Sequence, residues 1–157
     1  STSGTLNDLS SLTLSGTGAA TIVDGTSILN SIVLSEDAGA DSIELLTGAS
    51  LVGQPNASAY DSISNFDTSV DKLLIHDGSS SSTAFVDEGA ISGANLGTAI
   101  DAAFGANDAV VFHYGNNTYV YVDDGDGDYS ANDILVELVG TLNLTDLSNI
   151  ATLELTA

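Results

Sequence analysis

Short apolar strings return along the first half of this chain at a spacing that leaves few folds open. Ser11-Leu12-Thr13-Leu14-Ser15 returns as Ser31-Ile32-Val33-Leu34-Ser35, and Asp41-Ser42-Ile43 returns as Asp61-Ser62-Ile63, each twenty positions on. Thr21-Ile22-Val23 and Leu73-Leu74-Ile75 add further strings of the same kind. Gly, Ser, Asn and Asp separate them, as in Gly16-Thr17-Gly18, Asp24-Gly25 and Asp37-Ala38-Gly39-Ala40-Asp41. Brief apolar runs bounded by turn residues read as β-strands. Two short strands per turn of about twenty residues is what a parallel β-roll or β-solenoid requires. An antiparallel sandwich spaces its strands similarly, so both architectures stand for residues 5–50, and the offset of twenty favours the solenoid.

The second half changes character. Residues 78–94 open with Gly78-Ser79-Ser80-Ser81-Ser82 and read as a loop. A short helix is expected from Leu96 to Phe104, with Asn95 as N-cap, Leu96, Ile100 and Phe104 on one face and Gly105 as the stop. Ala109-Val110-Val111-Phe112-His113-Tyr114, a Gly115-Asn116-Asn117 turn and Thr118-Tyr119-Val120-Tyr121-Val122 form a hairpin pattern. A third strand follows at 134–139 and Gly140 breaks it. Residues 144–150 read as a helical turn, and Leu153-Glu154-Leu155-Thr156-Ala157 as an extended apolar end. The fold class is therefore all-β: a parallel β-roll or solenoid over 1–77, a loop over 78–94, and a small antiparallel module with one short helix over 95–157.

Charge narrows the function. The chain has 22 Asp and Glu, one basic residue, Lys72, and a net charge of −21. Nucleic-acid binding needs a basic surface and is excluded on that ground. Docking on anionic lipid is disfavoured as well. Hydrophobic residues make up 43%, enough for a packed core. No run is long enough to span a membrane, no signal-peptide pattern is present, and the first residue is Ser, so a processed product or an excised fragment is expected. Cysteine is absent. An exported chain of this kind must be stapled by sheet or by metal rather than by disulfides.

Residues 123–133 read Asp-Asp-Gly-Asp-Gly-Asp-Tyr-Ser-Ala-Asn-Asp. Asp123, Asp124, Asp126, Asp128 and Asp133 thus share one glycine-opened loop with no local cation to offset them. An oxygen-only site suits a hard divalent cation, and calcium tolerates irregular geometry best. Asp124, Asp126 and Asp128 match the first three ligands of an EF-hand, but Tyr129 stands where its Gly would be and Leu135 where its Glu would be. The loop is therefore not an EF-hand, and Asp133 or Glu137 is expected to complete the shell. Other acids cluster at Glu36, Asp37 and Asp41, at Asp61, Asp67 and Asp71, and at Asp87 and Glu88. These read first as a solubilising surface, with calcium ligation between rungs or between neighbouring molecules as the alternative. His76 and His113 are the two histidines. His113 beside Tyr114 admits a haem-carrier reading that nothing else supports. There is no Gly-X-Ser-X-Gly elbow, and no enzymatic activity is expected. Tyr119 and Tyr121 share a strand face and read as sheet cover before recognition stripe.

Three stretches, in order, resemble the C-terminal region of RTX proteins exported by type I secretion, most closely that of serralysin-type proteases. They are Asp61-Ser62-Ile63-Ser64-Asn65-Phe66 with Asp71-Lys72-Leu73-Leu74-Ile75, then Tyr119-Val120-Tyr121-Val122-Asp123-Asp124-Gly125-Asp126-Gly127-Asp128, then Gly140-Thr141-Leu142-Asn143-Leu144-Thr145-Asp146-Leu147. The family's Gly-Gly-X-Gly-X-Asp repeats and its His-Glu-X-X-His zinc signature are both absent, so neither a standard calcium ladder nor protease activity carries over. The resemblance implies export through the type I secretion machinery, a secretion-signal-like end, and kinship with modules of bacterial surface-layer proteins and adhesins. The expected function is an exported, extracellular, calcium-binding structural protein of the bacterial cell surface, whether surface-layer, filament or adhesin domain, that self-associates. The alternative is a C-terminal type I secretion and folding module of a larger secreted enzyme.

Overall fold

A computed structural model describes residues 2–6, 11–25, 31–34, 39–46, 48–53, 56–76, 85–104, 109–145 and 147–152. Glu36, Asp37, residues 78–82, Gly105 and the expected final strand at 153–157 lie outside these residues.

The fold is all-β with one short helix, and its strands as far as residue 75 are dealt alternately into two sheets. β1 (Thr2–Leu6), β3 (Ala20–Asp24), β5 (Ser42–Leu45), β7 (Lys72–Ile75) and β12 (Ile150–Thr152) form one sheet, parallel throughout. β2 (Ser11–Thr13), β4 (Ser31–Val33), β6 (Asp61–Ser64) and β11 (Ile134–Leu138) form a parallel run in the second. That sheet continues through β10 (Asn117–Val122), β9 (Ala109–Tyr114) and β8 (Val86–Ala90).

Register explains why such short strands hold. Ile22, Ile43, Leu73 and Ile150 are successive partners across the first sheet. Leu12, Ile32, Ile63 and Leu138 are successive partners across the second. Period-two alternation turns both aliphatic columns inward, and they meet in one core with Leu34, Leu45, Ile75, Val111, Val120 and Val136.

The repeat differs from its reading in one respect. Ser11 pairs with Ser31, as the twenty-residue spacing predicts. Ser42, however, pairs with Lys72, and Asp61-Ser62-Ile63 lies in the other sheet. Residues 46–60 lengthen that turn, so Asp71, not Asp61, is the counterpart of Asp41.

The sheets also run across the expected division into 1–77 and 95–157. β9 and β11 each pair antiparallel with β10 as expected, but β11 joins β6 and β12 joins β7 in parallel. The apolar columns need cover at their growing end, and Leu138 and Ile150 supply it. Within 78–94, Val86–Ala90 is a strand rather than loop, pairing with β9 through a bulge between Asp87 and Gly89. The hairpin turns on Gly115, whose φ of 61° suits the first centre of a two-residue loop.

Helix α1 (Leu96–Ala103) starts as its sequence demands, with the Asn95 side chain accepting from the Thr98 N–H at 2.9 Å. Its buried Leu96 and Ile100 cover the outer face of the second sheet, against Val110, Phe112, Tyr119, Tyr121 and Leu135. The two tyrosines are thus core, with Phe104 stacked on Tyr121 and Phe112 on Tyr119.

Two buried acids hold the turns together. Asp41 Oδ1 accepts from the Ala20 N–H at 2.8 Å, and Asp71 Oδ1 accepts from the Asp41 N–H at 2.9 Å. Asp71 Oδ2 accepts from the Asp67 N–H at 2.8 Å. Each carboxylate satisfies backbone donors that a turn leaves over. Burial nonetheless holds the Asp71 carboxyl above its ordinary value of 3.8. Such a group stabilises the fold fully below its unfolded value, and the contribution is lost as pH rises through the raised one. Asp71→Ala is expected to cost about 2–4 kcal/mol, read as a lower urea midpoint. Acidification from neutrality into the ordinary carboxylate range is expected to raise the wild-type midpoint more than that of Asp71→Asn.

Candidate metal centre

The acidic loop spans the gap between β10 and β11, whose last paired residues are Val122 and Ile134. Asp123 and Asp133 therefore stand opposite each other at its neck, and both are buried. Positive φ at Gly125 (96°) and Gly127 (84°) lets the backbone coil tightly between them.

Carboxylates organise this coil from within. Asp123 Oδ2 accepts from the Gly125 N–H at 2.9 Å, Asp124 Oδ1 from the Asp126 N–H at 3.1 Å, and Asp126 Oδ1 from the Asp128 N–H at 3.0 Å. Three successive Asx turns follow, each made by a side chain bonding two residues on. Asp133 closes the loop across its neck. Its Oδ1 accepts from the Asp124 N–H at 3.1 Å and the Ser130 hydroxyl at 3.3 Å. Its Oδ2 accepts from the Ser130 N–H at 2.6 Å and the Tyr121 hydroxyl at 2.7 Å. Burial pushes the Asp133 carboxyl above its ordinary value. Burial, and then the hydrogen bond to Asp133, raise the Tyr121 phenol far above its ordinary range, so it stays a donor.

The coil brings together one carboxylate oxygen from each of Asp123, Asp124, Asp126 and Asp133, all within 4.8 Å of one another. This group can hold one metal ion. Its donor set is oxygen alone, which suits a hard cation and does not suit zinc or copper. Lys72, the sole Lys or Arg, is exposed on β7 in the other sheet. Asp128, read as a fifth ligand, lies outside the group, and its backbone N–H serves Asp126 instead. Glu137 is engaged elsewhere, accepting from Ser62 at 3.0 Å, Tyr119 at 2.8 Å and Asn117 at 3.2 Å.

The remaining candidates disperse. Asp41 and Asp71 bond backbone amides, Asp67 bonds Ser69, and Asp87 bonds the Gly89 N–H. Among the described residues no second group of three or more potential ligands forms. His76 Nε2 lies 2.6 Å from Glu44 Oε1, and His113 Nε2 lies 3.0 Å from the Leu142 carbonyl. Two supports of the site, Tyr121 and Ser130, were not singled out for it from sequence. Tyr121 lies two residues before Asp123 and so shares its strand face, which was the available signal. Ser130 needs the closed loop before its contact with Asp133 can be seen.

No protein-family model matches this chain, and no curated protein matches its sequence. Among the described residues no helix is long and apolar enough to cross a membrane.

Tyr121→Phe removes one donor from buried Asp133 and leaves the ring in place. It is expected to cost about 1–3 kcal/mol in urea unfolding at neutral pH, with the helix-covered face still packed.

Proposed function

We propose that this protein is an exported structural domain of the bacterial cell surface, of the surface-layer, filament or adhesin kind, whose fold is a β-roll completed by calcium. The observation that carries this reading is the convergence of four aspartates on one loop in a chain with a single basic residue. Repulsion among them is relieved best by a divalent ion, and calcium accepts an all-oxygen shell of irregular shape. Extracellular calcium modules bind at roughly 10⁻⁴–10⁻³ M, so such a site is empty inside a cell and filled outside it. Binding then adds to folding free energy only after export. High negative charge keeps copies apart until calcium offsets it, and self-association follows. The reading assigns the chain no catalysis, and its export route is type I secretion, as the resemblance implies.

A second reading, a C-terminal secretion and folding module of a larger secreted enzyme, draws support from one further feature. β11 and β12 each add a parallel strand to the run begun by the first half of the chain, so the C-terminal part extends both sheets of the stack.

Calcium titration of EDTA-treated protein, followed by circular dichroism and light scattering with magnesium as control, tests both. The expected result is a calcium-specific gain of β signal, then rising scatter. A gain of structure without a change in size favours the secretion module. No response at millimolar calcium sinks both versions of the calcium reading. Asp126→Asn keeps the loop's shape and is expected to weaken apparent calcium affinity about tenfold, while Asp128→Asn leaves it unchanged.

A further inference from the structure

Copies of a chain with net charge −21 repel, so a direct contact between them forms best where opposite charges can meet. Lys72 is the only Lys or Arg, and a charge-matched contact between copies therefore passes through it. It is exposed, and it makes no ion pair with the described residues.

The strand of Lys72 sets it beside apolar surface. Leu73 and Ile75 enter the core, so Lys72 and Leu74 face outward by alternation. Val23 and Glu44 are the successive partners that lead across the sheet to Leu74, as Thr21 and Ser42 lead to Lys72. Leu46 follows Glu44 on the same side. Val23, Leu46 and Leu74 are half-buried and belong to neither apolar cluster, whereas α1 covers the outer face of the other sheet. Glu44 is engaged with His76 at 2.6 Å. Lys72 thus stands with its charge unmatched at the margin of a small aliphatic patch.

A complementary patch lies on β8. Val86 and Val139 are the exposed large apolar side chains of the described residues, at 54% and 40%. Near Val139, Glu137 already accepts three hydrogen bonds. Beside Val86 stand Asp87 and Glu88, both exposed. Asp87 accepts from the Gly89 N–H, whereas Glu88 sits in the bulge between Asp87 and Gly89 and makes no side-chain bond with the described residues. A bulge of this kind re-aims its side chain out of the ladder. One apolar group beside one unengaged acid mirrors the aliphatic patch beside one unengaged base.

We propose that the outer face of the first sheet around Lys72 receives the β8 strip of a second copy of this chain. Lys72 meets Glu88, and Val23, Leu46 and Leu74 meet Val86. The two surfaces differ, so the contact is heterologous and copies add head to tail, each keeping one surface open for a further neighbour. The ion pair is exposed and weak, so it fixes orientation and partner more than strength. The inference deepens the self-association in the proposed function and rests on it.

Sedimentation velocity of the full chain over a wide concentration range at low salt, with calcium and with EDTA, tests it. Far-UV circular dichroism monitors the fold of each sample. Lys72→Glu and Glu88→Lys each set like charges against each other, and the double variant restores the pair in reverse. The expected result is growth beyond dimers for wild type and about fivefold weaker association for each single variant. Association is expected to recover in the double variant and in an equimolar mixture of the two single variants. Val86→Ser is expected to weaken association about tenfold at unchanged circular dichroism. Glu88→Lys makes the chain less acidic, so a general charge effect strengthens its association whereas the proposed contact weakens it. A calcium-bound wild-type chain that stays monomeric throughout overturns the interface and leaves the calcium reading standing. Association in EDTA that the single variants weaken and the double variant restores supports the interface and counts against calcium. Association that the single variants leave unchanged, that the double variant fails to recover, or that stops at a dimer overturns the proposal.

Discussion

A chain with one basic side chain has to neutralise its buried carboxylates without ion pairs, and the structure is organised around that shortage. Backbone amides serve instead. Asp41 takes the Ala20 N–H, Asp71 takes those of Asp41 and Asp67, and Asp133 takes those of Asp124 and Ser130. The bonds of Asp41 to Ala20 and of Asp71 to Asp41 pin one turn to the next, and those of Asp133 close the acidic loop, so acids that look like a surface coat in the sequence act as internal ties. Charge-assisted bonds of this kind are stronger than neutral ones, which offsets part of the cost of burying the charge. At the neck of the acidic loop the local demand is greatest, because four carboxylates converge there. A metal ion is the neutraliser that fits what the amides leave over.

Much of this was legible beforehand. The strands at Ser11, Thr21, Ser31, Ser42, Ser62 and Leu73 follow from apolar alternation, and the hairpin from its Gly115 turn. Asn95 announced the helix through the oxygen it offers to Thr98. What could not be read was pairing at a distance. The likeness of Asp41-Ser42-Ile43 to Asp61-Ser62-Ile63 suggested neighbours, whereas a longer turn shifted the register and put the two in different sheets. Local similarity fixes a strand's character but not its partner. The same limit hid β8, whose Val-Asp-Glu-Gly-Ala sequence is a poor strand former and is ordered by its pairing with β9.

The site divided in a similar way. Aspartate density located the loop, and four of its five expected ligands converge. Asp128 lies outside that group, and its backbone N–H ends the last of the three Asx turns. Glu137 drops out because the alternation of β11 puts it on the face of Tyr119 rather than toward the loop.

The partners of β11 and β12 have a consequence for how the chain reaches its fold. The first turns pair strands that lie close in sequence, with Ser11 against Ser31 and Thr21 against Ser42. Ile63 must wait for Leu138 and Leu73 for Ile150, separations of 75 and 77 residues. Closing a loop of that length costs about 1 kcal/mol more in chain entropy than closing one of twenty residues. The structure thus combines a low contact order at one end with a high one at the other. Its early turns assemble quickly and locally, and the rate of completing the fold is set by the search of its last strands.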